Sequence, residues 1–170
     1  MKILIGFAVV LITVQAQATQ IPFKALTNLV AEADHVLVGA VIQVDMVDGK
    51  GNHVTNETAR TCPGSENQLR LHVAVATNGV IASTAINVPE KLVILLWQRW
   101  FDTLGNRRKE VEGKSFIFLL KGAAFQPVYF GGFMRELSER AEIERLLKEK
   151  PTQNQASEAI GAQGAPQPQR

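Results

Sequence analysis

The chain contains one cysteine, one tyrosine and three histidines among its 170 residues. A single cysteine excludes a disulfide within the chain, so packing alone must hold the fold together. The 18 basic and 16 acidic side chains nearly balance, which gives no electrostatic argument for binding to nucleic acid or to an anionic membrane surface. His35, His53 and His72 lack the spacing of a zinc site, and we expect no metal and no other cofactor.

Recognisable catalytic motifs are also missing. The sequence has no G-x-S-x-G segment for a nucleophilic serine and no glycine-rich loop of the kind that cradles phosphate. Cys62 lies in the loop-like segment Arg60-Thr61-Cys62-Pro63-Gly64. The simplest interpretation is an unpaired thiol, and the alternatives are an intermolecular disulfide or a nucleophile paired with a histidine. We therefore expect the protein not to be an enzyme.

The two ends of the chain differ in composition from the rest. Residues 1–18 contain Lys2, an apolar run over residues 3–14 and the small-residue site Ala16-Gln17-Ala18, a pattern typical of a secretory signal peptide. The apolar run is shorter than the roughly 20 residues that a membrane-spanning helix needs. Residues 151–170 are rich in Gln, Pro and Ala, which predicts a disordered tail. We expect a single domain over residues 19–150, exported to the periplasm or outside the cell, with no membrane span once the leader is removed.

Residues 92–97, LVILLW, form an uninterrupted apolar run without helical spacing. Such a run predicts a central β-strand that is buried on both faces. Residues 36–47, 69–77 and 114–120 predict three more strands, and residues 127–130 predict a last one. Gly39 within the first of these strands indicates a bend or the close approach of another backbone. Asn78-Gly79 predicts a turn, followed over residues 80–88 by one helical turn and a link.

Two helices are expected on either side of these strands. Residues 22–33 and residues 138–150 each carry an apolar stripe at helical spacing, and Ser138 suits the N-cap of the second helix. The polar segment 48–67 predicts a long loop or a loose hairpin, and residues 98–113, which begin with aromatic and end with charged side chains, predict a second loop. Together these elements predict a mainly β fold with two flanking helices, built as a small five-stranded OB-like barrel that is closed or partly open.

Three segments resemble known proteins. They are LTNLVAEADHVLVGAVIQV at residues 26–44, LRLHVAVATNGV at residues 69–80 and EGKSFIFLL at residues 112–120. Their hydrophobic rhythm resembles that of a loose group of small exported bacterial proteins with OB-like or inhibitor-like β-barrels. Most members of that group have no assigned activity. The resemblance implies the barrel fold and brings no functional residue with it.

One segment combines the residue types that are favoured at binding surfaces. The stretch WQRWF at residues 97–101 places three aromatic rings and an arginine at the end of a strand, and a basic stretch follows at residues 107–109. The alternative interpretation is that these rings end the buried strand and fill the mouth of the barrel. The candidate binding residues are Trp97, Arg99, Trp100, Phe101, Arg107 and Arg108.

These observations favour a non-enzymatic binding or accessory module that uses residues 98–113, and the loop at residues 48–67, against a protein partner. Two other functions stay open. One is a secreted enzyme or enzyme inhibitor that acts through the loop around Cys62. The other is an OB-type binder of oligosaccharide or nucleic acid, for which the balanced charge gives little support.

Overall fold

The computed structural model describes residues 23–98 and 101–150, and its architecture is mainly β. The expected leader and tail lie outside these residues. In the described part, the helices are α1 (Leu26–Glu32), α2 (Leu104–Val111) and α3 (Arg140–Glu149). None of them is long and apolar enough to cross a membrane. The strands are β1 (His35–Val47), β2 (Arg60–Thr61), β3 (Gln68–Ser83), β4 (Lys91–Leu95), β5 (Asp102–Thr103), β6 (Ser115–Lys121), β7 (Gln126–Pro127) and β8 (Met134–Arg135).

Six of these strands form one antiparallel sheet. Its order is β4-β3-β1-β6-β7, and β8 also pairs with β6; β2 and β5 form a separate pair. The sheet curls so strongly that Cα atoms of β4 and β7, at its two ends, come within 8 Å of each other. No strand pairing joins those ends in the described residues. We call the gap between β4 on one side and β7 and β8 on the other the seam.

Hydrophobic side chains pack on both faces of the curled sheet. The interior holds the larger cluster, to which α2 adds the buried side chains of Leu104 and Val111. On the outer face, α1 and α3 cover β1 and β6 with a second cluster. Phe118 of β6 lies in the interior cluster, whereas Ile117 and Leu119 lie in the outer one. β6 is therefore buried on both faces, as is the first part of β1, where Val36 lies in the outer cluster and Leu37 in the interior one.

The mainly β class and the flanking helices α1 and α3 are confirmed. The five-stranded OB-like barrel is not confirmed, because the sheet has six strands and is not closed. The segment 98–113 was predicted as a loop, but it contains the helix α2. Thr103 caps that helix by accepting a hydrogen bond from Asn106 N, and Leu104 and Val111 lie two turns apart on its buried side.

The prediction that residues 92–97 form a central strand buried on both faces is wrong. β4 ends at Leu95 and lies at one end of the sheet, with β3 as its only paired neighbour in the described residues. Leu92 and Ile94 point inward and are 6% and 0% exposed. Val93 and Leu95 point outward and are 48% and 39% exposed, because the outer-face cluster of α1 and α3 covers β1 and β6 and includes no residue of β4.

Asn78-Gly79 does not turn the chain, so that prediction is also wrong. β3 continues through both residues to Ser83 and takes in part of the segment predicted as a helical turn. Asn78 has a φ of 60°, and the register with β1 jumps there, since Gly39 pairs with Val75 whereas Leu37 pairs with Val80. The positive φ of Asn78, which would suit a hairpin turn, therefore occurs at an irregularity within a continuous strand.

Two smaller predictions had opposite outcomes. The close approach expected at Gly39 is confirmed, since a Cβ atom there would lie 2.6 Å from Val73 Cγ1 and 2.8 Å from Ala74 O. The predicted N-cap Ser138 is wrong. It lies instead in a 3-10 turn over Leu137–Glu139, and α3 begins only at Arg140.

Candidate binding site at the seam

A cleft of about 760 Å³ opens at the seam beside the end of β4. One wall is formed by Leu96 and Trp97, which directly follow β4, and the other by residues 130–137, which include β8. Leu69, Phe116 and Phe133 line the cleft and also belong to the interior cluster. The cleft therefore gives access to the apolar interior of the curled sheet, and its volume is that of an ordinary ligand pocket.

Two aromatic rings meet across the seam. The rings of Trp97 and Phe130 are nearly parallel, with 6.0 Å between their centroids and 20° between their planes. Both side chains are half-buried. Trp97 follows β4 and Phe130 lies between β7 and β8, so each wall supplies one ring. This pair offers a flat apolar surface of the kind that contributes strongly to binding.

The rim of the cleft carries charges of both signs. Arg107 of α2 places Nη2 2.6 Å from Asp102 Oδ2 and Nη1 2.9 Å from Glu110 Oε2. Two carboxylates therefore neutralise its guanidinium group. Lys114 and Glu136 also line the cleft, and neither forms an ion pair within the described residues. An apolar floor with a rim of nearly balanced charge suits an apolar group more than a strongly charged one.

The structure divides the predicted binding patch. Trp97 and Arg107 both line the cleft. Phe101 is 72% exposed and does not line it. Arg108 is engaged elsewhere, since its Nε donates a hydrogen bond to Val44 O at 2.9 Å and its Nη1 pairs with Glu57. Arg99 and Trp100 lie outside the described residues.

The opposite wall was not predicted from the sequence. It contains Phe130, Phe133 and Met134, which β8 brings into place by pairing with β6. The available signal is the arrangement of Phe130 and Phe133 around Gly131 and Gly132, which by itself indicates only a bend. Because the wall depends on a pairing between separate segments, local periodicity could not place it.

A second polar cluster lies on the outer face of β1 and β3. The side chain of Asp45 is 6% exposed, and its Oδ1 accepts a hydrogen bond from Arg70 Nε at 2.7 Å. His72 Nε2 and His53 Nδ1 lie 3.2 and 3.6 Å from Asp45 Oδ2. Burial disfavours the charged carboxylate, but Arg70 and His72 together outweigh that effect, so the pKa of Asp45 lies below its ordinary value. The same hydrogen bond raises the pKa of Arg70.

This cluster gathers two of the three histidines, which the sequence did not predict. Among the residues that the structure describes, however, no group of three or more His, Cys, Asp or Glu side chains is arranged to hold a metal ion. The polar cluster around Asp45 is best understood as a set of side-chain contacts that joins β1, β3 and the loop carrying His53.

Cys62 lies in a turn in which its carbonyl oxygen accepts a hydrogen bond from Ser65 N at 2.9 Å. The thiol is half-buried and forms no disulfide within the chain. No hydrogen bond joins it to a histidine in the described part of the chain. The geometry thus gives no support to a thiol–imidazole pair.

No model of a protein family matches this chain, and a search of curated proteins found no match.

Proposed function

We propose that this protein is an exported, non-enzymatic binding module whose binding site is the seam cleft. Its ligand is an apolar side chain presented by a protein partner. The observation that carries the proposal is the cleft at the seam, which Trp97 and Phe130 line together with Phe133 of the interior cluster. Concave apolar surfaces with aromatic walls are characteristic of binding sites. The exported setting rests on the composition of residues 1–18.

We also propose that the curled sheet is an OB-like barrel left open at the seam. The support is that β7 approaches β4 and that α2 is inserted between β4 and β6. OB-type binders of nucleic acid or oligosaccharide use the face of the second and third strands, here the outer side of β3 and β4. Neither strand contains Phe, Tyr or Trp, and Asp45 neutralises Arg70 on that face. Stacking and free positive charge are both weak there, which favours the cleft.

The experiment compares Phe130→Ala with Phe23→Ala. Both variants lose one phenyl ring, but Phe130 stacks on Trp97 in the cleft whereas Phe23 is exposed and does not line the cleft. Tagged proteins are purified from the cells that naturally make the protein. We expect wild type and Phe23→Ala to retain the same partner and Phe130→Ala to lose it at least tenfold, with unchanged circular dichroism. Equal recovery by all three proteins, or recovery of no partner by wild type, would contradict the proposal.

A further inference from the structure

We propose that the partner enters the seam as an extended peptide and adds a strand to the free edge of β4. This assignment deepens the proposed function and rests on it. In an antiparallel pair, alternate residues direct their backbone N–H and C=O groups towards the neighbouring strand. Leu96 N donates to Leu69 O at 3.0 Å, and Val75 N donates to Glu90 O at 2.8 Å. These bonds fix the alternation along β4.

The alternation leaves every second residue of β4 facing the seam. With Leu96 bonded to β3, Val93 and Leu95 direct their backbone N–H and C=O groups away from it. These groups form no backbone hydrogen bond within the described residues. A row of free donors and acceptors on a strand edge is a template for an added strand.

The opposite wall of the cleft also presents backbone groups that no neighbouring strand uses in the described part of the chain. Leu119 N donates to Phe133 O at 2.7 Å, and Phe118 lies opposite Met134. The backbone groups of Met134 therefore point away from β6 and towards the seam. Met134 also lines the cleft. Unpaired main-chain groups therefore lie at Met134 on one wall and, on the other side, at Leu95, directly before the cleft-lining residues Leu96 and Trp97, and a small apolar ligand would leave them unpaired.

Strand spacing locates the added segment. Neighbouring strands lie about 4.8 Å apart, so a strand inserted between two others needs about 9.6 Å. Where Cα atoms of β7 come within 8 Å of those of β4, there is no room for an added strand. The cleft opens beside Leu96 and Trp97, which directly follow Leu95, so the end of β4 at Leu95 is the part of the edge that we assign to the peptide. Alternate side chains of that peptide would enter the cleft, so the expected partner sequence has bulky apolar residues at every second position and no proline between them.

The test uses linear dodecapeptides selected from a random phage-displayed library against the purified protein. A selected peptide is then synthesised as a series in which one backbone N–H at a time is methylated, and binding is measured by fluorescence polarisation. We expect about tenfold weaker binding at alternate positions, whose N–H groups face β4, and little change at the positions between, apart from the one position whose N–H faces Met134.

A protein variant tests the same contact from the other side. Leu95→Pro removes an N–H that β3 does not use, so the sheet should persist, and proline is tolerated at such edge positions. We expect this variant to bind the peptide about tenfold more weakly, with unchanged circular dichroism. The methylation series decides the question should Leu95→Pro not fold.

The outcomes separate the two proposals. Binding that Phe130→Ala abolishes and Phe23→Ala preserves, but without two-residue periodicity in the methylation series, would overturn strand addition and leave the seam site standing. Binding that Phe130→Ala does not change would overturn both. Failure to select any peptide also counts against strand addition, while the co-purification experiment still decides the function of the cleft.

Discussion

Arg70 and Asp45 lie opposite each other on neighbouring strands and form a two-point ion pair on the outer face of the sheet. Arg70 Nε is 2.7 Å from Asp45 Oδ1, and its Nη2 contacts Oδ2. The carboxylate is the more deeply buried partner, since Arg70 keeps about a quarter of its side-chain surface exposed. Loss of the arginine would therefore leave a buried negative charge with only the histidines beside it.

Arg70→Ala should lower the free energy of unfolding by about 3 kcal/mol, the lower end of the range for breaking a buried pair, because water can reach the vacated site. Urea denaturation at pH 7 measures this change. The double variant Asp45→Leu/Arg70→Leu should recover much of the loss, since it removes the unpaired charge. A loss below about 1 kcal/mol in the single variant would show that the pair contributes little.

Stability should depend on pH through Asp45. Its pKa in the folded protein is lowered from the ordinary value of about 3.9, so its contribution is present above that value and is lost as the pH falls through the lowered pKa. Urea midpoints of wild type should therefore fall more steeply between about pH 5 and pH 3 than those of Asp45→Asn. Asp48 and Glu32, whose pKa values are also lowered, are present in both proteins. Parallel curves would assign the acid sensitivity to other groups.

Gly39→Ala should destabilise the protein by about 2–3 kcal/mol, because the added methyl would collide with Val73 and with the backbone of Ala74. Gly51→Ala is the matched control. Gly51 has a φ of 84°, but no atom lies within 4 Å of the position that an added methyl carbon would take, so only backbone strain of about 1 kcal/mol is expected. Thermal or urea unfolding ranks the two variants. A larger loss in Gly51→Ala would show that β3 can move away from Gly39.

Ile94→Ala and Val93→Ala test whether β4 is covered on one face or on two. Ile94 is fully buried in the interior cluster, so its truncation should cost about 2–5 kcal/mol. Val93 faces outward, and its truncation should cost less than about 1 kcal/mol. Urea unfolding of both variants gives the comparison. Similar losses would mean that something covers the outer side of β4.

Local periodicity predicted the elements whose burial follows a simple pattern. β1, β6, α1, α3 and the first half of β3 all follow from alternation or from apolar stripes. Periodicity does not report how many neighbours a strand has. Residues 92–97 and 116–120 are both apolar runs, yet only the second is covered on both sides, because α1 and α3 pack there. α2 was missed because it contains only two large buried apolar side chains, Leu104 and Val111.

The candidate site was predicted on one side only. Trp97 and Arg107 belong to the aromatic stretch 97–101 and the basic stretch 107–109, which can be recognised from their composition alone. Phe130 and Phe133 reach the same cleft because β8 pairs with β6, and that pairing joins residues such as Phe118 and Met134 that lie far apart in the chain. No feature local to residues 130–137 indicates which distant segment they face.

The double coverage of β6 has a consequence for how the molecule opens. Phe118 and Ile117 are consecutive residues that belong to different hydrophobic clusters, so β6 can leave its place in the sheet only when both clusters open. Amide hydrogens of β6 should therefore exchange with deuterium only through global unfolding. The amides of β4 that face the seam should exchange through local opening of that edge of the sheet.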